Sequence, residues 1–171
     1  MPTIFIMSGL PGCGKTTMVN QWAQPDDIIM RRDDFRAALR KANKTDEYFP
    51  VPAAEEYRLW LDQIADASKA LPRHNIWIDQ TTLSNSSLLK LLLGLMDNLD
   101  WKSYNFQVMV IHTPLATCLE RNEKREGFAR VPEHTIRDMA RFFHINTTAV
   151  KKELPEQMGL RLDIMHIGGD E

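Results

Sequence analysis

The run Gly9-Leu10-Pro11-Gly12-Cys13-Gly14-Lys15-Thr16 fits the spacing G-x-x-x-x-G-K-[ST] in full. A chance match in a chain of this length has a probability on the order of one per cent. Phosphate oxygens need a ring of backbone N–H donors, and glycine lets the backbone curl around them without a Cβ clash. A helix beginning near Lys15 adds its positive end. In that setting the Lys15 ammonium bridges β- and γ-phosphates and the Thr16 hydroxyl ligates Mg²⁺. Cys13 fills a variable position, where packing is the expected role and a reactive thiol the alternative.

A cation bound there needs a carboxylate at the end of a neighbouring buried strand. Ile76-Trp77-Ile78-Asp79 supplies one, as three apolar residues followed by an acid. Gln80, Thr81 and Thr82 continue the same loop, either to hydrogen-bond a substrate or to cap the next helix. A transfer reaction also needs a base for the acceptor hydroxyl, an effect worth roughly 10²–10⁴-fold. Arg31-Arg32-Asp33-Asp34-Phe35-Arg36 offers two carboxylates, with Arg36 three residues beyond Asp33 on the same helical face. These same residues also fit a plain helix start, with Asp34 as a cap and Arg36 as a surface charge. A third element, Leu119-Glu120-Arg121-Asn122-Glu123-Lys124-Arg125, spaces two arginines by four residues ahead of Gly127 and Val131-Pro132. Arginines on such a segment suit a lid, about 122–132, that neutralises charge on a transferring phosphoryl group. A basic, exposed helix end is the alternative.

The elements that must hold these groups alternate. Apolar, β-rich runs at 3–8, 27–31, 75–79, 105–112 and 160–167 predict five strands, and the first, third and fourth are near-continuously apolar. Helical patterns occupy 15–24, 34–41, 53–71, 83–99, 114–122 and 132–144, with Pro114 and Pro132 expected in first turns. Strands alternating with helices predict an α/β fold, a parallel five-stranded sheet sandwiched between helices in a single domain over 1–171. Ligands then gather at the carboxyl ends of the strands. Residues 48–52 and 124–131 are expected to be mobile loops.

Composition narrows the setting. The 171 residues are 43% hydrophobic and 26% charged with a net charge of −2, as in an ordinary globular protein. The opening residues lack a basic leader and run directly into the glycine motif, so they are expected to be the first strand rather than a signal peptide. No apolar run reaches the length of a membrane span, and no membrane partner is expected. Two cysteines in dissimilar settings, without metal-ligand spacing, suit a reducing cytoplasm. The net charge argues against a protein that coats nucleic acid. Even so, Arg31, Arg32, Arg36, Arg40, Lys41 and Lys44 form one basic cluster, and Arg121, Lys124, Arg125, Arg130, Arg137 and Arg141 form another. Each is either a solvated helix face or an anion-binding surface.

Taken in order, strand–GxPGxGK[ST]–helix, R-D-D-[aromatic]-R, strand–D-x-[ST], and a lid with R-N-x-K-R and a following V-P resemble the kinase domain of phage polynucleotide 5′-kinases. The resemblance runs from about Thr3 to His144. It implies a P-loop kinase type of fold with a lid. Gly9, Leu10, Pro11, Gly12, Cys13, Gly14, Lys15, Thr16 and Thr17 would then cradle ATP, with Thr16 and Asp79 on Mg²⁺. It further implies Lys15, Asp33 and Arg125 as catalytic groups, Asp33 being the general base. Arg36 would hold the phosphate of the acceptor, and Arg121 would add a nucleotide contact. The chain carries no D-x-D-x-[TV] motif, so a freestanding kinase half without 3′-end clean-up is expected.

The function expected is therefore transfer of the ATP γ-phosphate to a hydroxyl of a nucleic acid, most simply the 5′-OH of DNA or RNA. Two other acceptors share the chemistry: a hydroxymethyl group on a modified base of phage DNA, such as hydroxymethyluracil, and a small molecule. A non-catalytic nucleotide-binding module would lack Asp33 or a lid arginine, and both are present.

Overall fold

A computed structural model describes residues 1–154 and 158–168. Its strands are β1 (Thr3–Ser8), β2 (Ile28–Arg31), β3 (Ile76–Asp79), β4 (Asn105–His112) and β5 (Leu162–Gly168). They form one sheet in the order β2-β3-β1-β4-β5, with every pairing parallel. The expected α/β sheet is thus present. β2 starts one residue later than its apolar run, because the Asp27 carboxylate is taken up at the strand's entry. It accepts from Gln24 N at 2.9 Å, Asn75 Nδ2 at 3.1 Å and Trp77 Nε1 at 2.8 Å.

Side chains alternate across the sheet with the period of two that strands impose. One face carries Ile4, Ile6, Ile76, Ile78, Phe106, Val108 and Val110, all buried. The helices α3 (Ala53–Ala70), α4 (Asn85–Asn98) and α7 (Thr147–Glu153) cover it through Trp60, Ile64, Leu88, Leu92 and Val150. The other face carries Met7, Trp77, Met109 and Ile111, with Phe5 stacked on Trp77 at 4.0 Å. Here α1 (Lys15–Trp22), α5 (Leu115–Glu123) and α6 (Glu133–Phe142) contribute Val19, Cys118 and Met139.

Several helix ends depart from expectation. α2 spans Arg32–Ala42, so it begins two residues early and Asp34 lies inside the first turn; no side chain caps this end. β2 therefore passes into α2 with no intervening turn. Ser84, not the 80–82 stretch, caps α4, its hydroxyl accepting from Ser87 N at 3.2 Å. Pro114 and Pro132 stand as extended cap residues just ahead of α5 and α6. α6 stops at Phe142, and His144 N instead donates to Leu83 O at 2.8 Å. Among the described residues no helix is long and apolar enough to cross a membrane.

Candidate active site

β1 and β3 lie side by side, and their register sets Ile6 against Ile78. The residues that follow β1 therefore emerge next to Asp79. The 9–14 turn then closes onto α1, and glycine is required at two of its positions. Gly12 has φ of 81°, and a Cβ there would fall 2.5 Å from the Cys118 carbonyl oxygen; Gly14 has φ of 104°. Thr113, the residue just after β4, holds the turn down, its hydroxyl donating to Cys13 O at 2.7 Å.

Lys15 lines the cleft at the first residue of α1. Its ammonium folds back to donate to Gly9 O at 2.8 Å and Leu10 O at 2.9 Å, with Cys13 Sγ at 3.7 Å. Cys13 and Leu10 are themselves buried, so these two loop positions pack inward. Thr16 Oγ1 donates to Asp79 Oδ2 at 2.8 Å. Thr16 and Asp79, far apart in sequence, thus present a hydroxyl and a carboxylate together at the mouth of the loop. Such oxygens suit a hard cation that keeps water and phosphate as its other ligands. No cluster of three or more His, Cys, Asp or Glu positioned for a metal occurs among the described residues.

β2 pairs with β3 in a register that sets Arg31 opposite Asp79. Arg31 Nε lies 3.9 Å from Asp79 Oδ2, is buried, and has no hydrogen-bond partner, while Nη2 donates to Asn20 Oδ1. A cleft of about 810 Å³ runs from the glycine turn across the ends of β2 and β3 to the lid. Lys15, Thr16, Thr17, Asp79, Asp33, Arg36 and Arg125 all line it. Asp33 faces this cleft and is exposed, whereas Asp34 is not part of its lining.

The lid is tied at its base. Asn122 is buried, donates through Nδ2 to Val131 O at 2.6 Å and accepts from Val131 N at 2.9 Å. Arg125 sits on the lid with Nη1 3.5 Å from Ala129 O. Arg121 is not part of the cleft lining; its Nη1 donates to Gly12 O at 3.3 Å.

Further side chains organise the cleft wall from within or from behind it. Glu56, 1% exposed, accepts from Arg36 Nε at 2.7 Å and from Arg32 Nε at 3.2 Å. Burial pulls the Arg32 guanidinium below its ordinary pKa, and repulsion from Arg36 adds to this, against the attraction of Glu56. Gln80, expected either to hydrogen-bond a substrate or to cap the next helix, is buried at the cleft wall, accepts from Trp60 Nε1 at 2.8 Å and donates to Thr82 Oγ1 at 3.1 Å, and the helix cap is Ser84 instead. Residues 48–52, expected only as a mobile loop, bring Tyr48 and Phe49 against Arg36, whose guanidinium lies 5.3 and 5.7 Å from their ring centres. Phe128 of the lid rests on Arg40 at 4.1 Å. The basic stretch around α2 was a signal for part of this; the acid and aromatics that organise it carry no motif.

The same architecture recurs among solved structures at low identity. The tunicamycin resistance protein of Deinococcus radiodurans is 23% identical with a TM-score of 0.57, over 94% of this chain and 97% of that one. A chain of the Pnkp1/Rnl/Hen1 RNA repair complex is 20% identical with a TM-score of 0.59, over 90% of this chain but only 46% of that one. Shikimate kinase from Acinetobacter baumannii, in complex with shikimate, is 12% identical with a TM-score of 0.54, over 100% of this chain and 86% of that one. No curated protein sequence matches the chain. The AAA domain family (AAA_33) matches residues 4–145. The chain belongs to this AAA domain family, with the five-stranded parallel fold of a P-loop kinase, a fold that implies ATP binding at the glycine turn.

Proposed function

We propose that this protein is an ATP-dependent phosphotransferase that moves the γ-phosphate to a hydroxyl of a nucleic acid, most simply a 5′-OH of DNA or RNA. One observation carries the choice of acceptor. The wall opposite Lys15 interleaves Arg32 and Arg36 with Tyr48, Phe49 and Phe128, of which the three aromatics are 43%, 53% and 48% exposed. Exposed rings beside guanidiniums suit a ligand that offers both base faces and phosphates. A free sugar offers neither.

The roles follow from placement. Asp33 takes the proton of the acceptor hydroxyl, whose oxygen attacks the γ-phosphorus while the bond to the ADP oxygen breaks. Lys15 exchanges the Gly9 and Leu10 carbonyls for phosphate oxygens, which repay its move with stronger, charged partners. Residues 9–17 cradle the phosphates, and Arg125 on the lid meets the charge on the transferring group. Thr16 and Asp79 are the residues that would hold Mg²⁺, which when bound neutralises phosphate charge. Arg121, bonded to Gly12 O, would add a contact to the nucleotide from beside the turn.

The test is phosphate transfer from labelled ATP to 5′-OH oligonucleotides, to duplex containing hydroxymethyluracil, to nucleosides and to small polyols. Transfer to the oligonucleotide 5′ end is the expected result. Label on the modified base instead would move the acceptor within nucleic acid. Label confined to small molecules would overturn the proposal.

A further inference from the structure

The charge cluster on the acceptor wall is built on an acid, Glu56, to which the roles above assign nothing. Glu56 is almost fully buried on the first turn of α3, and its carboxylate receives the Nε–H of both Arg32 and Arg36. A buried carboxylate without partners is strongly unfavourable, so the pairing keeps Glu56 ionised in place. One guanidinium would neutralise it. The second leaves the cluster with an excess positive charge, held among two arginines that repel each other.

The donors left over are directed by their neighbours. Arg36 Nη1 donates to Tyr48 Oη at 3.2 Å, and Arg32 Nη1 reaches Gln80 Oε1 at 3.5 Å. Gln80 is in turn pinned by Trp60, one helical turn beyond Glu56 on α3. Each guanidinium is thus oriented from two sides, while neither Nη2 has a protein partner among the described residues. Both arginines line the cleft.

We propose that Glu56 is a positioning residue that sets Arg32 and Arg36 as the two arms of a clamp for a phosphate group carried by the acceptor. This rests on the proposed transfer to a hydroxyl in the same cleft. Donors from two separate guanidiniums match two oxygens of a tetrahedral anion, and charge-assisted bonds of this kind are the strong ones. The phosphate is either the internucleotide group of an oligonucleotide or the phosphate of a small acceptor; the chemistry is shared. With Glu56→Gln the carboxylate charge is lost, the two arginines repel without compensation, and one of them leaves for solvent.

Direct binding tests this independently of turnover. Dissociation constants are measured for a 5′-OH dinucleotide, a nucleoside 3′-monophosphate and a hexose phosphate, each against its phosphate-free counterpart, with ADP present. Wild-type protein should favour the phosphate-bearing member of at least one pair by about tenfold or more. The pair that shows the preference identifies the source of the phosphate. Glu56→Gln, with its melting temperature checked, should lose most of that preference. If Glu56→Gln does not fold, Arg32→Gln leaves a balanced Arg36–Glu56 pair and should lose the preference as well. Absence of any preference in wild type, or its retention in the folded variants, overturns the clamp. Retained preference in wild type with no transfer to nucleic acid sinks the proposed function while leaving the clamp standing.

Discussion

On the proposed nucleotide side of the cleft, one continuous run, residues 9–17, supplies nearly every contact, and much of it is backbone. On the proposed acceptor side, α2, the 48–52 loop, α3 and the lid each supply a side chain or two. The first side is anchored by strand register: β1 beside β3 brings Thr16 to Asp79 at 2.8 Å. The second is anchored by one buried charge, Glu56, between two arginines. A backbone cradle binds any nucleoside triphosphate in much the same way. A side-chain wall is where one family can diversify its acceptors, because each element can change without disturbing the sheet. The comparison predicts that changes on the first side abolish turnover outright, whereas changes on the second redistribute it among acceptors.

The largest effect is expected at Lys15. Among the described residues its ammonium pairs with no acid and bonds to carbonyls and, weakly, to Cys13 Sγ. Lys15→Met should leave the melting temperature close to wild type and remove transfer to every acceptor. Single-turnover transfer with labelled ATP measures this, and near-normal rates would break the assignment of the glycine turn.

Asp33→Asn should come next, lowering kcat by roughly 10²-fold or more with little change in KM for ATP, as loss of a general base does. Asp34 is the control: it lies in the same first helical turn but outside the cleft lining, so Asp34→Asn should affect the rate little. A rate loss at Asp34 and none at Asp33 would reverse the two.

The difference between the two sides also governs what could be read before the structure. The glycine turn, Asp79 and the five strands were legible, because motif spacing and short apolar runs are written in contiguous residues. The start of α2 was not, since β2 runs into it with neither a glycine nor a capping side chain to mark the boundary. α7 escaped because its seven residues bury only Val150. Glu56 was hidden for another reason. Glu55 and Glu56 both stand in the first turn of α3, where acids are ordinary partners of the helix dipole. Only the fold shows that Glu56 turns inward to Arg32 and Arg36 while Glu55 stays exposed.

Arg36→Ala sharpens the comparison further. The side chain bonds to Glu56 and packs against Tyr48 and Phe49, all on the acceptor side. KM for an oligonucleotide should rise by about tenfold, with KM for ATP nearly constant. Steady-state kinetics with each substrate varied in turn distinguishes this from a general loss. Equal increases in both KM values would show that the two sides are not separable.

The smallest effect is expected behind the nucleotide side, at the end of β4. His112 Nε2 lies 2.8 Å from His166 Nδ1, with the Phe143 ring edge-on at 5.4 Å, and Thr113, the next residue, holds the glycine turn. Burial lowers the His112 pKa from the ordinary 6.5, and repulsion from His166 lowers it further. Below pH 6.5 the unfolded chain therefore binds a proton that the folded protein resists. The stability contributed by neutral His112 is complete above that pH and is lost as pH falls through it toward the folded value. The site is partly open to solvent, so the effect is small: a fall in melting temperature of less than about 2 °C between pH 7.5 and 5.5. His112→Gln should show a shallower fall over the same range. Parallel curves for wild type and variant would mean that this pair does not titrate with folding, and that the pH response of the chain lies elsewhere.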